Sequence, residues 1–314
     1  MLRKTGLLLM VVGLLLLGAC TQEPEQEEVA TSGEEVQSVE SESLYPMTVT
    51  DSYDREIILP EQPERVISMA PSITETIFAL EAESQLVGRT EYCDYPEEVA
   101  KIPTAGSLMT PNMERIIELE PDLVIASTHF PMEAVETLEE LGVQVVVFVP
   151  QESFEGTYRI IEEVGRILGK DEKAQTINQS IEEKVREVAE RVADLPGKRV
   201  YFVVGFGEHG DYTAGGDTFI NEMIEMAGGV NIAGDVSGWG YSLEKIIEKD
   251  PEVIIISKFF GLKDAFEMTP NYMDLNAVKK GELHGLDINE IERQGPRIGL
   301  GLESLAKAIH GDRY

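Results

Sequence analysis

Residues 114–127 have the sequence ERIIELEPDLVIAS, and residues 244–257 have the sequence EKIIEKDPEVIIIS. Seven of the fourteen aligned positions are identical. Each segment has a short helical pattern, a proline that ends it and an apolar run typical of a buried strand in a parallel sheet. Because the same helix–strand unit occurs once in each half of the chain, the repeat predicts two similar α/β lobes.

Apolar runs and helical patterns alternate on both sides of the repeat. In the first half, strands are predicted at residues 65–69, 85–88, 123–126 and 143–149, with helices at 72–80, 112–119 and 132–141. In the second half, strands are predicted at 199–204 and 253–257, with helices at 218–227, 243–248 and 297–309. A hairpin is expected at 47–59. This alternation is typical of parallel βαβ units.

One long amphipathic pattern separates the two series, at residues 171–194. Its apolar residues recur every three or four positions and form one stripe: Ile177, Ile181, Val185, Val188, Val192 and Leu195. This spacing predicts a single helix with one buried face, which Pro196 and Gly197 end. A continuous helix between two lobes limits how far they can hinge.

The amino terminus has the features of a secretory signal. Arg3 and Lys4 precede an apolar run at residues 7–17, which is shorter than the roughly 20 residues that cross a bilayer. The Leu-Gly-Ala-Cys sequence at 17–20 resembles the bacterial lipobox. That resemblance implies cleavage after residue 19 and a diacylglycerol thioether on Cys20, the predicted lipidation site. The alternatives are an uncleaved short anchor and an ordinary signal followed by a chance cysteine.

Residues 20–44 are predicted to be a flexible spacer, because eight Glu and almost no large apolar residue leave little surface to bury. The whole chain has 26 basic and 58 acidic residues, a formal net charge of −32. This balance disfavours nucleic-acid binding and adsorption on anionic lipid, since both require basic surface. Membrane contact is therefore expected through the lipid anchor alone.

Catalytic and metal-binding motifs are scarce in the sequence. Besides Cys20 the chain has only Cys93, so no disulfide is expected, and we interpret Cys93 as a small buried residue. Four His and no paired Cys predict no zinc site, which disfavours a bare zinc or manganese binder. GFGEHG at 205–210 matches the dinucleotide fingerprint, but no helical pattern follows it directly. We therefore expect no enzymatic activity and no intrinsic cofactor.

Six segments, in order, resemble the class III solute-binding proteins of ABC importers, which serve cobalamin, haem and iron-siderophores. They are RVISMAPSITETIFAL at 65–80, YCDYPEEVAKI at 92–102, MTPNMERIIELEPDLVIAS at 109–127, TAGGDTFINEMIEMAGGVNIA at 213–233, WGYSLEKIIEKDPEVIII at 239–256 and GPRIGLGLESLAKAI at 295–309. The resemblance implies two Rossmann-like lobes joined by a single long rigid helix, with a ligand cleft between the lobes. The implied division is a signal peptide at 1–19, a spacer at 20–44, an N-terminal α/β lobe at 45–169, a connecting helix at 170–196 and a C-terminal α/β lobe at 197–314.

In that family, one glutamate on each lobe docks into an arginine pocket of the permease dimer. By motif match these residues are Glu114 and Glu244, which open the two copies of the repeat. A pseudo-symmetric protein that meets a dimer should present the same group twice. The alternative is simple stabilisation of a helix N-terminus. The implied partner is an ABC permease dimer with its cytoplasmic ATPase, met by a monomer at the extracytoplasmic face of the membrane (periplasmic where an outer membrane exists).

The resemblance also places a ligand among the loops at the carboxyl ends of the strands. Tyr92 and Arg293 match ligand-contacting positions of cobalamin-binding members, and Trp239 lies one residue from another. The other predicted ligand-binding residues are Phe206, Tyr241 and His129. Aromatic faces with an arginine suit a small-molecule metal chelate. The expected ligand is a cobalamin or related corrinoid, or a ferric siderophore, and haem with His129 as a metal ligand is the alternative.

Overall fold

A computed structural model describes residues 44–314, so the predicted signal peptide, Cys20 and all but the end of the predicted spacer lie outside the described residues. The first lobe has the strands β1 (Met47–Thr50), β2 (Glu56–Leu59), β3 (Val66–Ser68), β4 (Leu86–Arg89), β5 (Leu123–Ser127) and β6 (Gln144–Phe148). Its helices are α1 (Pro71–Ala79), α2 (Met113–Glu118), α3 (Met132–Glu140) and α4 (Phe154–Ile167). The strands β4-β3-β5-β6 form a parallel sheet in that order, and β1 pairs with β2 as the expected hairpin.

The second lobe follows the long helix α5 (Asp171–Val192). Its strands are β7 (Lys198–Phe202), β8 (Asp211–Tyr212), β9 (Gly229–Asn231), β10 (Gly240–Tyr241), β11 (Val253–Ser257) and β12 (Leu283–Leu286). Its helices are α6 (Phe219–Met226), α7 (Leu243–Lys249), α8 (Leu262–Met268), α9 (Asn276–Lys279), α10 (Asn289–Glu292) and α11 (Ile298–His310). The strands β9-β7-β11-β12 form a parallel sheet, and β8 pairs with β10.

The two four-stranded sheets have the same topology. In each sheet, the strand that comes first in sequence, β3 or β7, lies beside the strand of the repeat, β5 or β11. The preceding helices α2 and α7 bury matching residues, Ile116 and Ile246, each with no exposed surface. The repeat is therefore the same structural unit used twice, and the predicted α/β fold with two lobes is confirmed.

A hydrophobic core runs through both lobes. Along β5 and β11, alternate side chains point to opposite faces of the sheet, as strand geometry requires. Ile125 and Ile255 join one large cluster with the apolar faces of α1, α4, α5, α6 and α11. Val124 and Ile254 belong to smaller clusters, each confined to its own lobe. Since one cluster contains residues of both lobes, moving the lobes apart would expose apolar surface.

The long helix α5 is held on both sides. Gly165 of α4 allows a close approach, because a Cβ there would lie 2.5 Å from the Cβ of Ala174 on α5. The Asn178 amide donates a hydrogen bond of 3.0 Å to the Tyr158 carbonyl oxygen. On the other side, Gly299 of α11 packs against the Lys184 side chain of α5. In the part of the chain that the structure describes, no helix combines the length and apolar character needed to cross a bilayer.

The sequence did not predict α4, which is one of the longest helices. Gly156 and Gly165 lower its intrinsic helix propensity. Both glycines lie at close contacts, because a Cβ on Gly156 would lie 2.6 Å from the Gln151 carbonyl oxygen. The helix is stabilised by its packing against α1 and α5, which local sequence does not reveal. The strand β12 was missed as well, because LHGL lacks an apolar run.

An arginine clasps the end of each helix of the repeat. Arg65, directly before β3, donates from Nε to the Glu120 carbonyl oxygen at 2.7 Å, beyond the end of α2. Arg199 of β7 donates to the Lys249 and Asp250 carbonyl oxygens at 3.0 Å and 3.1 Å, at the end of α7. These carbonyls lack helical partners, and a guanidinium is a suitable donor for them. Each clasp fixes its helix to the first strand of the sheet.

We predict that Gly301→Ala destabilises the protein. Alanine normally stabilises a helix interior relative to glycine, but a Cβ at this position of α11 would lie 2.2 Å from the Glu290 carbonyl oxygen of α10. We expect the free energy of unfolding to fall by about 1–3 kcal/mol in urea denaturation. Gly299→Ala is the control, because a Cβ there would lie no closer than 3.2 Å to its nearest neighbour, the Lys184 side chain. Equal or higher stability of Gly301→Ala than of Gly299→Ala would contradict the packing of α10 on α11.

Candidate functional site

A cleft of about 480 Å³ opens between the lobes, within the volume range of small-molecule sites. Loops that follow the carboxyl ends of strands in both sheets form most of its lining, as expected for parallel sheets. The lining residues are Ala70, Pro71, Ser72, Leu108, Ser127, Thr128, His129, Pro150, Glu152, Val204, Phe219, Ile220, Trp239, Glu292, Arg293 and Gln294. Most of this surface is apolar, with polar groups at a few points.

Three of the predicted ligand-binding residues line this cleft: His129, Trp239 and Arg293. His129 follows β5 and has a φ of +73°, a backbone conformation that non-glycine residues rarely adopt and that histidine tolerates better than most. Trp239 precedes β10, and 45% of its surface is exposed. The structure therefore brings a histidine of one lobe and a tryptophan of the other to the same cavity.

The other three predicted ligand-binding residues are not among the lining residues. Phe206 packs in the second lobe against Phe266, with ring centroids 4.9 Å apart. Tyr241 donates its hydroxyl to the Ile232 carbonyl oxygen at 2.9 Å. Tyr92 lies beside the cleft with its ring exposed, and its carbonyl oxygen accepts a hydrogen bond of 3.3 Å from Arg293. In this structure, Phe206 and Tyr241 therefore contribute to packing in the second lobe.

A buried carboxylate on α1 holds two arginines of the other lobe. Glu75 is 3% exposed and accepts hydrogen bonds from Arg297, at 2.7 Å from Nε and 2.8 Å from Nη2. It also accepts one from Arg293 at 2.9 Å. Asp94 accepts a second hydrogen bond from the same Nη1 atom of Arg293, at 2.5 Å. Desolvation lowers the pKa of Arg293, but its hydrogen bonds to Asp94 and Glu75 outweigh this effect and raise the pKa.

The side chain of Arg297 is held by contacts within the protein. Its guanidinium lies 4.1 Å from the centroid of the Tyr95 ring, a cation–π contact in addition to the paired hydrogen bonds to Glu75. Close by in sequence, Cys93 is 3% exposed, and burial raises the pKa of its thiol to about 11. A thiol of this kind is a poor nucleophile at neutral pH, which agrees with the interpretation of Cys93 as a buried packing residue.

A second pair of contacts crosses between the lobes at the cleft. Glu152, before α4, accepts a hydrogen bond of 2.6 Å from the Phe219 backbone N–H at the start of α6. Glu222 of α6 accepts one of 3.1 Å from the Phe154 backbone N–H at the start of α4. The two phenylalanine rings pack with centroids 5.3 Å apart. Each lobe therefore supplies a carboxylate to a helix N-terminus of the other, where unpaired N–H groups favour a negative charge.

The sequence analysis did not identify these carboxylates as site residues. For Glu75 a signal was present, because a glutamate among Ile73, Thr74, Thr76 and Ile77 interrupts an otherwise uncharged buried helix. For Glu152 and Glu222 there was none, since their partners are backbone groups 67 and 68 residues away. Contacts over this separation depend on the tertiary fold.

Residues 44–314 lack the features that a dinucleotide site and a metal centre require. After GFGEHG at 205–210 the next helix is α6, which begins at Phe219, so no helix N-terminus follows that segment directly. Among residues 44–314, no three His, Cys, Asp or Glu side chains converge as metal ligands.

Comparisons with known proteins agree with this architecture. The model of the periplasmic binding protein family matches residues 66–289. The chain belongs to the periplasmic binding protein family. It is a solute-binding protein of an ABC importer, as the resemblance predicted.

This periplasmic binding protein is similar in sequence to two proteins that are named for substrate binding. The ABC transporter substrate-binding lipoprotein YvrC of Bacillus subtilis is 30% identical over 86% of this chain and 88% of that protein. The cobalamin-binding protein of Halobacterium salinarum is 29% identical over 85% of this chain and 74% of that protein. Among solved structures, the periplasmic heme-binding protein RhuT from Roseiflexus in its apo form has a TM-score of 0.74 at 25% identity, over 80% of this chain and 99% of that one.

The predicted docking residues lie at equivalent positions of this periplasmic binding protein. Glu114 and Glu244 are exposed in the first turns of α2 and α7. The side chains of Asn112 and Ser242 cap these helices by accepting hydrogen bonds from the backbone N–H groups of Arg115 and Lys245. Neither glutamate has a hydrogen bond or ion pair with the described residues. Because other residues provide the caps, both carboxylates are free for an external partner.

We predict that Glu75→Gln lowers the free energy of unfolding by about 3 kcal/mol, since removing one partner of a buried ion pair leaves uncompensated charge. Urea denaturation measures the loss. Glu136→Gln, the same change at an exposed position of α3, should stay within about 0.5 kcal/mol of the wild type. If the two variants are equally stable, the Glu75 cluster does not hold the lobes together.

Proposed function

We propose that this protein captures a metal chelate in the cleft between its lobes and delivers it to an ABC permease. The observation that carries the proposal is the cleft itself, whose lining combines Trp239 of one lobe and His129 of the other with the polar groups of Arg293 and Gln294. An apolar wall with a few fixed polar groups suits a large ligand with a planar centre and hydrogen-bonding edges. Binding, with no chemical step, is the role that this lining supports.

Within this class we propose a cobalamin or related corrinoid as the first candidate. Trp239 offers a flat apolar face, while Ser72, Ser127 and Gln294 offer hydrogen-bonding groups for amide edges. The similarity to a cobalamin-binding protein over 85% of the chain supports the same choice. A ferric siderophore remains in the proposed class because its rim presents similar groups.

Haem is the second candidate, and the position of His129 favours it. An imidazole in the cleft lining is a suitable axial ligand for haem iron. The structural similarity to a heme-binding protein supports this alternative. A bare metal ion lacks comparable support, because the described residues offer no group of three ligands for it.

We predict that cyanocobalamin quenches the fluorescence of Trp239, the only tryptophan of the chain. A corrin ring stacked on the indole would quench it in proportion to occupancy, so a titration measures affinity. Haemin and ferric siderophores should be titrated in parallel, with dilution and absorbance corrections from free tryptophan. Absence of saturable quenching by any corrinoid would remove the first candidate, and saturation by haemin alone would select the second.

We propose that Glu114 and Glu244 dock the protein on the permease dimer. Both are exposed and unpaired among the described residues, and they lie at matching positions of a repeat. A partner with two equivalent subunits would meet two equivalent carboxylates. We further propose that a lipid on Cys20 and the acidic spacer keep the protein at the extracytoplasmic membrane surface within reach of that partner.

We predict that Glu114→Arg and Glu244→Arg each reduce ligand uptake by cells by at least about tenfold, because like charges at a docking contact repel. Ligand affinity of the purified variants should be unchanged, since neither residue lines the cleft. Glu248→Arg, the same reversal elsewhere on α7, is the matched control and should transport normally. Normal uptake by the double reversal would show that the two carboxylates are not docking residues.

A further inference from the structure

The cleft contains a carboxylate that has no partner among residues 44–314. Glu292 is the last residue of α10, lines the cleft and is exposed to it. Its side chain forms no hydrogen bond or ion pair with any described residue. By contrast, Glu152, the other carboxylate of the lining, accepts the Phe219 backbone N–H at 2.6 Å. Glu292 is thus the acidic group of the lining that is fully available to a ligand.

The cationic side chain next to Glu292 in sequence, Arg293, already has hydrogen-bond partners. The Arg293 guanidinium donates to Glu75 at 2.9 Å, to Asp94 at 2.5 Å and to the Tyr92 carbonyl oxygen at 3.3 Å. Glu75 and Asp94 therefore both neutralise the positive charge of Arg293, and Glu75 also binds the second arginine, Arg297. Arg293 is a weaker anchor for an anionic ligand than its position in the cleft would indicate, because two carboxylates already neutralise it and three of its five N–H donors have partners.

We propose that Glu292 is a specificity-determining residue that selects chelates whose edges present amide N–H groups or positive charge, and disfavours chelates whose edges present carboxylates. This inference rests on the proposed function of the cleft, and it names the class of chelate that the cleft takes. A carboxylate accepts amide N–H groups in charge-assisted hydrogen bonds. The same carboxylate repels a ligand carboxylate, and the cation of the lining, Arg293, is already neutralised by Glu75 and Asp94.

The environment of Glu292 makes this discrimination depend on pH. The surrounding walls desolvate the carboxyl group and raise its pKa to about 7, with Arg293 opposing part of that effect, so Glu292 carries its full negative charge only above neutral pH. Weak solvation increases the effect of a nearby ligand charge, because less water screens it. The charged or titratable groups of the other cleft walls are Glu152 and His129, of which Glu152 adds to the negative field.

The test compares ligands that differ in carboxylate charge and hardly at all in size. Cyanocobalamin and its monocarboxylic acid derivative, in which one side-chain amide is replaced by a carboxylate, are titrated into the full-length protein by calorimetry at a pH of about 8.5, where Glu292 is ionised. Haemin and its propionate diamide form a second pair. We expect the wild type to prefer the amide form of a pair by at least about tenfold, equivalent to about 1.4 kcal/mol.

The Glu292→Gln variant should lose this preference, with the two members of a pair binding within about twofold of each other. Glu136→Gln is the control for a charge change outside the cleft and should keep the wild-type ratio; circular dichroism confirms that both variants are folded. If Glu292→Gln binds both members and keeps the wild-type ratio, the inference is wrong while the proposed function stands. If the wild type binds no member of either pair, the cobalamin and haem candidates of the proposed function fail and the inference fails with them.

Discussion

The cleft depends on a hydrophobic core that both lobes share. The apolar faces of α1 and α4 from the first lobe meet those of α6 and α11 from the second, and α5 packs among them. Any wide opening would expose this surface, at a cost of roughly 25 cal/mol for each Å². The loops that line the cleft are attached to strands and helices of this core, so the binding site is largely preformed. Preformed walls reduce the ordering cost of binding.

The polar contacts between the lobes fix the relative orientation of the lobes, which apolar packing alone determines less strictly. Glu75 joins α1 to the two arginines near α11. Glu152 and Glu222 each accept a backbone N–H group at the N-terminus of a helix in the other lobe, α6 and α4 respectively. Buried charges of this kind are retained for geometry more than for net stability. Here they also use the positive charge that a ligand carboxylate would require. The interactions that fix the cleft therefore restrict what it can recognise.

Much of the fold was predictable from local patterns, and the site much less so. The repeat at 114–127 and 244–257 predicted one helix and one central strand in each lobe, because apolar periodicity reports which face is buried. The helix α4 was missed because its glycines serve contacts with distant residues. Phe206 and Tyr241 were predicted to bind ligand, but the structure packs them within one lobe. An aromatic residue in a loop has the same sequence signal in either role.

The arginine clasps have a consequence for how a transporter recognises a loaded receptor. Arg65 and Arg199 lock α2 and α7 to their sheets, and the shared core locks the sheets together. We therefore expect the separation of Glu114 and Glu244 to be the same with and without ligand. Under the proposed docking, a permease that contacts only these two residues would bind the empty and the loaded protein equally well. It could then distinguish them only at the mouth of the cleft, through contact with the ligand itself.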